Sequence, residues 1–151
     1  MAGHHVYIRI RTLQRRDGER DSLVQQVEGR LTQEDGGWLL TYAQEEQGLT
    51  TLTSLSLSGE KAVLRRSGAV GSQMVFQEGQ AHSSLYETPY GSLPMSLHTQ
   101  QLRWSMDETG GKLSLIYRLD LGGAHMGETR LELTVTKKAP TPDAKAKETF
   151  V

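Results

Sequence analysis

The chain has no cysteine. No disulfide framework can staple it, and no thiolate zinc site can form in it. Proline is scarce, and none precedes Pro89. Over that whole stretch no residue lacks the N–H that a sheet ladder needs. Neither sign of charge dominates: 17 basic and 18 acidic residues leave a net charge of −1. Such balance gives no electrostatic reason to expect a nucleic-acid or anionic-membrane partner. No apolar run approaches the roughly 20 residues of a membrane helix. The opening MAGHHVYIRIRTLQRRDGER has no apolar h-region, so it is not a signal peptide. These absences together describe a cytoplasmic protein. At 151 residues folding hides about 68–70% of the unfolded surface, enough for one core without staples.

What the chain has is a period of two. Val6, Ile8 and Ile10 alternate with Tyr7, Arg9 and Arg11. Leu23, Val27, Gly29 and Leu31 share a parity, as do Trp38, Leu40 and Tyr42. Leu49, Thr51, Thr53, Leu55 and Leu57 oppose Thr50, Ser54, Ser56 and Ser58. Leu113, Leu115, Tyr117, Leu119 and Leu121 alternate with Ser114, Arg118 and Asp120, and Leu131, Leu133 and Val135 with Arg130, Glu132 and Thr134. Strict alternation marks antiparallel strands with one face on a core and one in water. Turn residues recur between the runs, as at 15-RRDGERD-21 and 35-DGG-37. No window carries a helical stripe and no repeat of fixed period is present. The pattern predicts an all-β meander with at most one short helix.

Two irregularities refine this. Met95, Leu97 and Thr99 are odd, whereas Leu102, Trp104 and Met106 are even. One extra residue flips every later side chain, so a β-bulge is expected at Gln100–Gln101 that puts Leu102 and Trp104 on the side of Met95 and Leu97. Such a sheet leaves two adhesive edges unless it closes, which favours a single antiparallel barrel of about 8–10 strands over a sandwich. The last residues, 139-APTPDAKAKETFV-151, differ in kind. Their composition suits a disordered tail from about Lys138, after a barrel domain at 1–137.

The stretch 86-YETPYGSLPMSLHT-99 reads as a hairpin corner. Thr88 precedes a proline and is held extended, Pro89 weakens pairing, and Gly91 suits a tight turn. Tyr86, Thr88 and Tyr90 share a parity, so their hydroxyls form either a packed row or a ligand-facing one. In the same order stand 42-Tyr-x-x-Glu-45, 66-Arg-Ser-Gly-68, 74-Met-x-Phe-76, 86-Tyr-x-Thr-x-Tyr-Gly-91, Thr99 and 117-Tyr-x-Leu-119. Over residues 5–136 the chain resembles the bacterial family typified by the Bacillus protein YwiB. That resemblance implies a lipocalin-like, calycin-type barrel and no particular activity. It adds Tyr42 and Thr99 to the candidate row and carries no role to Glu45.

Chemistry is otherwise sparse. There is no Gly-x-Ser-x-Gly elbow, and the five histidines are scattered, with His98 on the polar side of its strand. His4 and His5 are adjacent and point to opposite faces, and His125 and Glu128 lie in a glycine-bounded turn, so no metal site and no cofactor are expected. Arg66 shares the parity of Ala62 and Leu64. It is either a guanidinium at the interior or mouth of the barrel, or one that turns outward at the strand end. The function expected is non-catalytic. A small amphipathic or anionic ligand would lie in the barrel or at its mouth, with Arg66, Tyr86, Thr88, Tyr90, Thr99 and Tyr42 as contacts. The alternative is a protein-interaction module with a filled interior.

Overall fold

In the computed structural model, the described residues are 3–46, 48–68 and 71–139. They form ten strands and no helix. The strands are β1 (His4–Arg16), β2 (Glu19–Glu34), β3 (Gly37–Glu46), β4 (Leu49–Ser58) and β5 (Lys61–Gly68). They continue as β6 (Ser72–Gln77), β7 (Ala81–Thr88), β8 (Gly91–Asp107), β9 (Gly110–Leu121) and β10 (Ala124–Thr136). Of the expected disordered tail, residues 140–151 lie outside the described residues.

Apart from β6 and β7, which form no ladder, each strand pairs antiparallel with its neighbours in sequence, and β1 also pairs with β10. The sheet therefore curls into a nearly closed barrel whose seam lies between β6 and β7. The seam is pinned at both ends. Gly71 and Glu87 exchange backbone hydrogen bonds of 3.0 and 2.8 Å where β6 begins and β7 ends, and Gly79 N donates to Thr99 O at 2.8 Å at the turn between the two strands. Between them the Ser84 hydroxyl caps Gln73 O at 2.8 Å. An edge pinned and capped in this way offers a short target for another strand.

The alternation read from the sequence sets the inside. Val6, Ile8, Leu31, Leu40, Leu57, Ala62, Phe76, Leu97, Leu115 and Val135 are all buried at 2% exposure or less. The expected bulge is present: Thr99 pairs with Tyr117 and Gln101 with Ile116, leaving Gln100 unmatched. After it, Leu102 and Trp104 pack on the core as the parity change requires. Trp104 is half-buried, because its ring crosses the lower end of the barrel and its Nε1 donates to Gly59 O at 2.9 Å. A second bulge interrupts β10 between His125 and Glu128. There Gly127, at φ +89°, lies so close to Arg15 O (2.1 Å from where a Cβ would be) that no side chain fits.

Candidate functional site

Odd-numbered strands end, and even-numbered ones begin, at what we term the upper end. The lower core is apolar; the upper bore is not. Gly29, Tyr42, Thr53, Arg66 and Ser72 stand opposite one another in register across β2 to β6. Directly opposed antiparallel residues share a face, so the row follows the inner wall. Gly29 begins it because a Cβ there would meet Thr41 O at 2.3 Å and Tyr42 Cβ at 3.1 Å. Arg66 follows the buried Ala62 and Leu64 on the inner side of β5, yet it is exposed because β5 ends two residues later.

The facing wall carries a second row. Thr99, Tyr117 and Thr129 are in register across β8, β9 and β10. Tyr117 meets Phe76 of β6 with ring centroids 5.1 Å apart, so the two walls touch across the bore. Burial pushes the pKa of both Tyr42 and Tyr117 above the ordinary tyrosine value. The positive charge of Arg66 and the Thr53 hydroxyl partly pull Tyr42 back down. The Thr129 hydroxyl and Arg66 do the same for Tyr117. One guanidinium thus acts on phenols from opposite walls. The Thr53 hydroxyl lies by Tyr42 without hydrogen-bonding geometry, and neither it nor the fully buried Thr99 hydroxyl has a hydrogen-bond partner.

Within the bore an enclosed space of about 50 Å³ lies between Thr12, Gln25, Tyr42, Gln44 and Arg66 on one side and core residues such as Leu55, Leu64, Phe76 and Leu115 on the other. A wider groove of about 580 Å³ runs outward from Arg66 over the seam to Glu87, Thr88 and Pro89. On the inward parity of β2, β4 and β8, Leu23, Leu49 and Leu93 remain 55%, 57% and 42% exposed and give the rim an apolar edge.

The structure brings together only part of the expected site. Arg66 and Tyr42 share the polar upper interior, Thr99 lies apart from them, bonded through its backbone to Gly79 and Gln80 of the β6–β7 turn, and Tyr86 packs half-buried against the core. Thr88 lines the groove with Arg66, but its hydroxyl serves the corner, donating to Gly91 O at 2.9 Å and accepting from Tyr90 N at 3.1 Å. Tyr90 does not join the row: it is 100% exposed. β7 ends at Thr88 and the chain turns at Pro89, so strand parity no longer governs Tyr90. Thr53, Tyr117 and Thr129 join the polar rows without having been expected there from the sequence. Their signal was a hydroxyl-bearing residue interrupting an otherwise leucine-rich inward row. Among the described residues, no group of three or more His, Cys, Asp or Glu is placed to hold a metal ion.

Fold and site together define an up-and-down β-barrel with an apolar lower core and a polar, arginine-bearing mouth. Residues 8–133 match the family described as a domain of unknown function, DUF1934, and the chain belongs to that family. It is 26% identical over 83 residues to the "Uncharacterized beta-barrel protein YwiB" of Bacillus subtilis, a match that spans 55% of this chain and 58% of that protein. The crystal structure of YwiB from Bacillus subtilis superposes with a TM-score of 0.83 at 19% identity, covering 91% of this chain and 94% of that one. That likeness shows the barrel fold.

Proposed function

We propose that the protein is a non-catalytic binding barrel whose upper mouth holds the head group of a small amphipathic anion. The observation that carries this reading is Arg66: an exposed guanidinium on the inner wall, near the buried Tyr42 and the partly buried Tyr117, with no carboxylate paired to it among the described residues. Buried hydroxyls without partners, such as those of Thr53 and Thr99, are a standing cost in a purely structural core. The groove of about 580 Å³ has the capacity of a small-molecule site, and the leucine rim suits an apolar chain. The enclosed space of about 50 Å³ has room for only a few water molecules, so the ligand belongs at the mouth and not within the barrel. Phenols whose pKa is raised are poor acid–base catalysts at neutral pH, which favours binding over catalysis. The reading includes a cytoplasmic setting. No helix among the described residues is long and apolar enough to cross a membrane, and the outward rows of the strands carry charges such as Arg9, Arg65, Lys112 and Glu132.

A second reading, an interaction module with a filled barrel, draws on the exposed Leu23, Leu49, Leu52, Leu85, Leu93 and Tyr90. Calorimetric titration with laurate separates the two. The binding reading expects one saturable site, weakened at least about tenfold in Arg66→Met, as loss of a charge-assisted hydrogen bond would do. Because Arg66 is exposed, that variant should unfold within about 0.5 kcal/mol of the parent. No saturable binding, or equal binding by the variant, would leave the interaction module standing.

A further inference from the structure

The outer wall of β1, β10, β9 and β8 carries a second feature, remote from the mouth. Residues that alternate with buried core positions meet here in two adjacent rows. Arg9, Thr134, Lys112 and Ser105 are opposed in register in one; Arg11, Glu132, Ser114 and Arg103 are opposed in the next. Together they line a groove of about 430 Å³. In a chain of net charge −1, this groove holds three arginines and a lysine against one glutamate.

The arrangement is ordered as well as basic. Glu132 accepts a hydrogen bond from Arg11 Nη1 at 3.2 Å, with both side chains only about one-third to two-fifths exposed (35% and 42%). The Nε atoms of Arg9 and Arg11 are buried. These guanidiniums therefore lie along the sheet instead of sweeping through solvent, and less side-chain entropy is lost when they engage a ligand. Adjacent strands are about 4.8 Å apart and same-face residues along a strand about 6.7 Å apart. Arg9 and Lys112, two strands apart, thus stand about 10 Å from each other, and Arg11 and Arg103, three strands apart in the next row, about 14 Å. Planar forks and hydroxyl donors at that spacing match an anion with several phosphate groups. A single carboxylate would engage only one corner of it. Single-stranded nucleic acid would in addition need aromatic platforms, and Trp104, the aromatic at this groove, is committed to Gly59 at the lower end.

We infer that this outer groove binds a small multivalent phosphate compound, at a site separate from the Arg66 mouth. The test is calorimetric titration of the whole protein with tripolyphosphate. The inference expects one site whose affinity falls with added salt. Arg103→Ala and Lys112→Ala should each weaken it about tenfold, and Arg66→Met should leave it unchanged. Both alanine positions are exposed, so the variants should keep the parental melting temperature. Absence of binding at millimolar tripolyphosphate, or binding insensitive to both alanine variants, would overturn the inference. So would loss of binding in Arg66→Met, which would move the phosphate to the mouth. Tighter binding of a single-stranded RNA oligonucleotide or an acidic peptide, lost in the same two alanine variants, would reassign the groove to a macromolecule.

Discussion

Tyr42 and Tyr117 reach the bore from opposite walls, and burial is the largest influence on each. Burial disfavours the phenolate, so the folded pKa exceeds the unfolded value of about 10. The sign follows directly. Below that unfolded value both states are protonated and the contribution is fully present; as pH rises through the raised folded pKa it is lost. Stability to urea should therefore fall above about pH 10. The decline should be shallower in Tyr42→Phe/Tyr117→Phe, as denaturation midpoints at pH 8 and 10.5 would show. Arg66 pulls both phenols down, so Arg66→Met should shift the high-pH tyrosinate absorbance step further up. A decline of the same steepness in the double variant would contradict this account of the two phenols. Part of this layer is written in the alternation: Arg66 follows Ala62 and Leu64, and Tyr42 follows Trp38 and Leu40. Its union with Tyr117 is not, because the two walls approach across the bore from residues more than fifty positions apart in sequence.

At the scale of the element, one residue redirects the second half of β8. Gln100 is the unmatched residue, and its side-chain amide lies between Arg118 and Glu128; turned over, its oxygen accepts from Arg118 Nε at 2.8 Å and its nitrogen donates to Glu128 Oε2 at 3.3 Å. Glu128 is also the residue at which β10 resumes its register after its own bulge, so one side chain links the two bulged strands through β9. Deleting Gln100 would turn Leu102, Trp104 and Met106 outward. Three such side chains at about 1.5 kcal/mol each put the loss above about 3 kcal/mol. Gln100→Ala keeps the count and removes only part-buried polar contacts at the barrel surface, so it should lose less than about 1 kcal/mol. Urea denaturation followed by tryptophan fluorescence compares them, and a deletion tolerated as well as the substitution would refute the bulge assignment. This device was legible because a parity change within one run is a local property of sequence. The bulge in β10 was not, since His125, Met126 and Gly127 carry no apolar alternation to break.

The whole molecule is closed by its first and last long strands. Its opening lies elsewhere, at β6 and β7, where the chain is contiguous. Edge chemistry argued for closure in advance, but the place of the seam depends on register between distant strands, which no local pattern encodes. The polarity of the barrel follows from the same rows of residues. Leucine, isoleucine and phenylalanine fill the lower bore, while threonine, glutamine, tyrosine and Arg66 occupy the upper one beneath the leucine rim. The central claim is that this upper mouth holds an amphipathic anion. Native mass spectrometry of the protein purified from its own host, beside Arg66→Met prepared identically, tests it most directly. The account expects the parent to carry one small molecule of discrete mass, released on collisional activation as an anion, and the variant to fly bare. A parent that appears only at its polypeptide mass, or a variant that carries the same adduct, would contradict it.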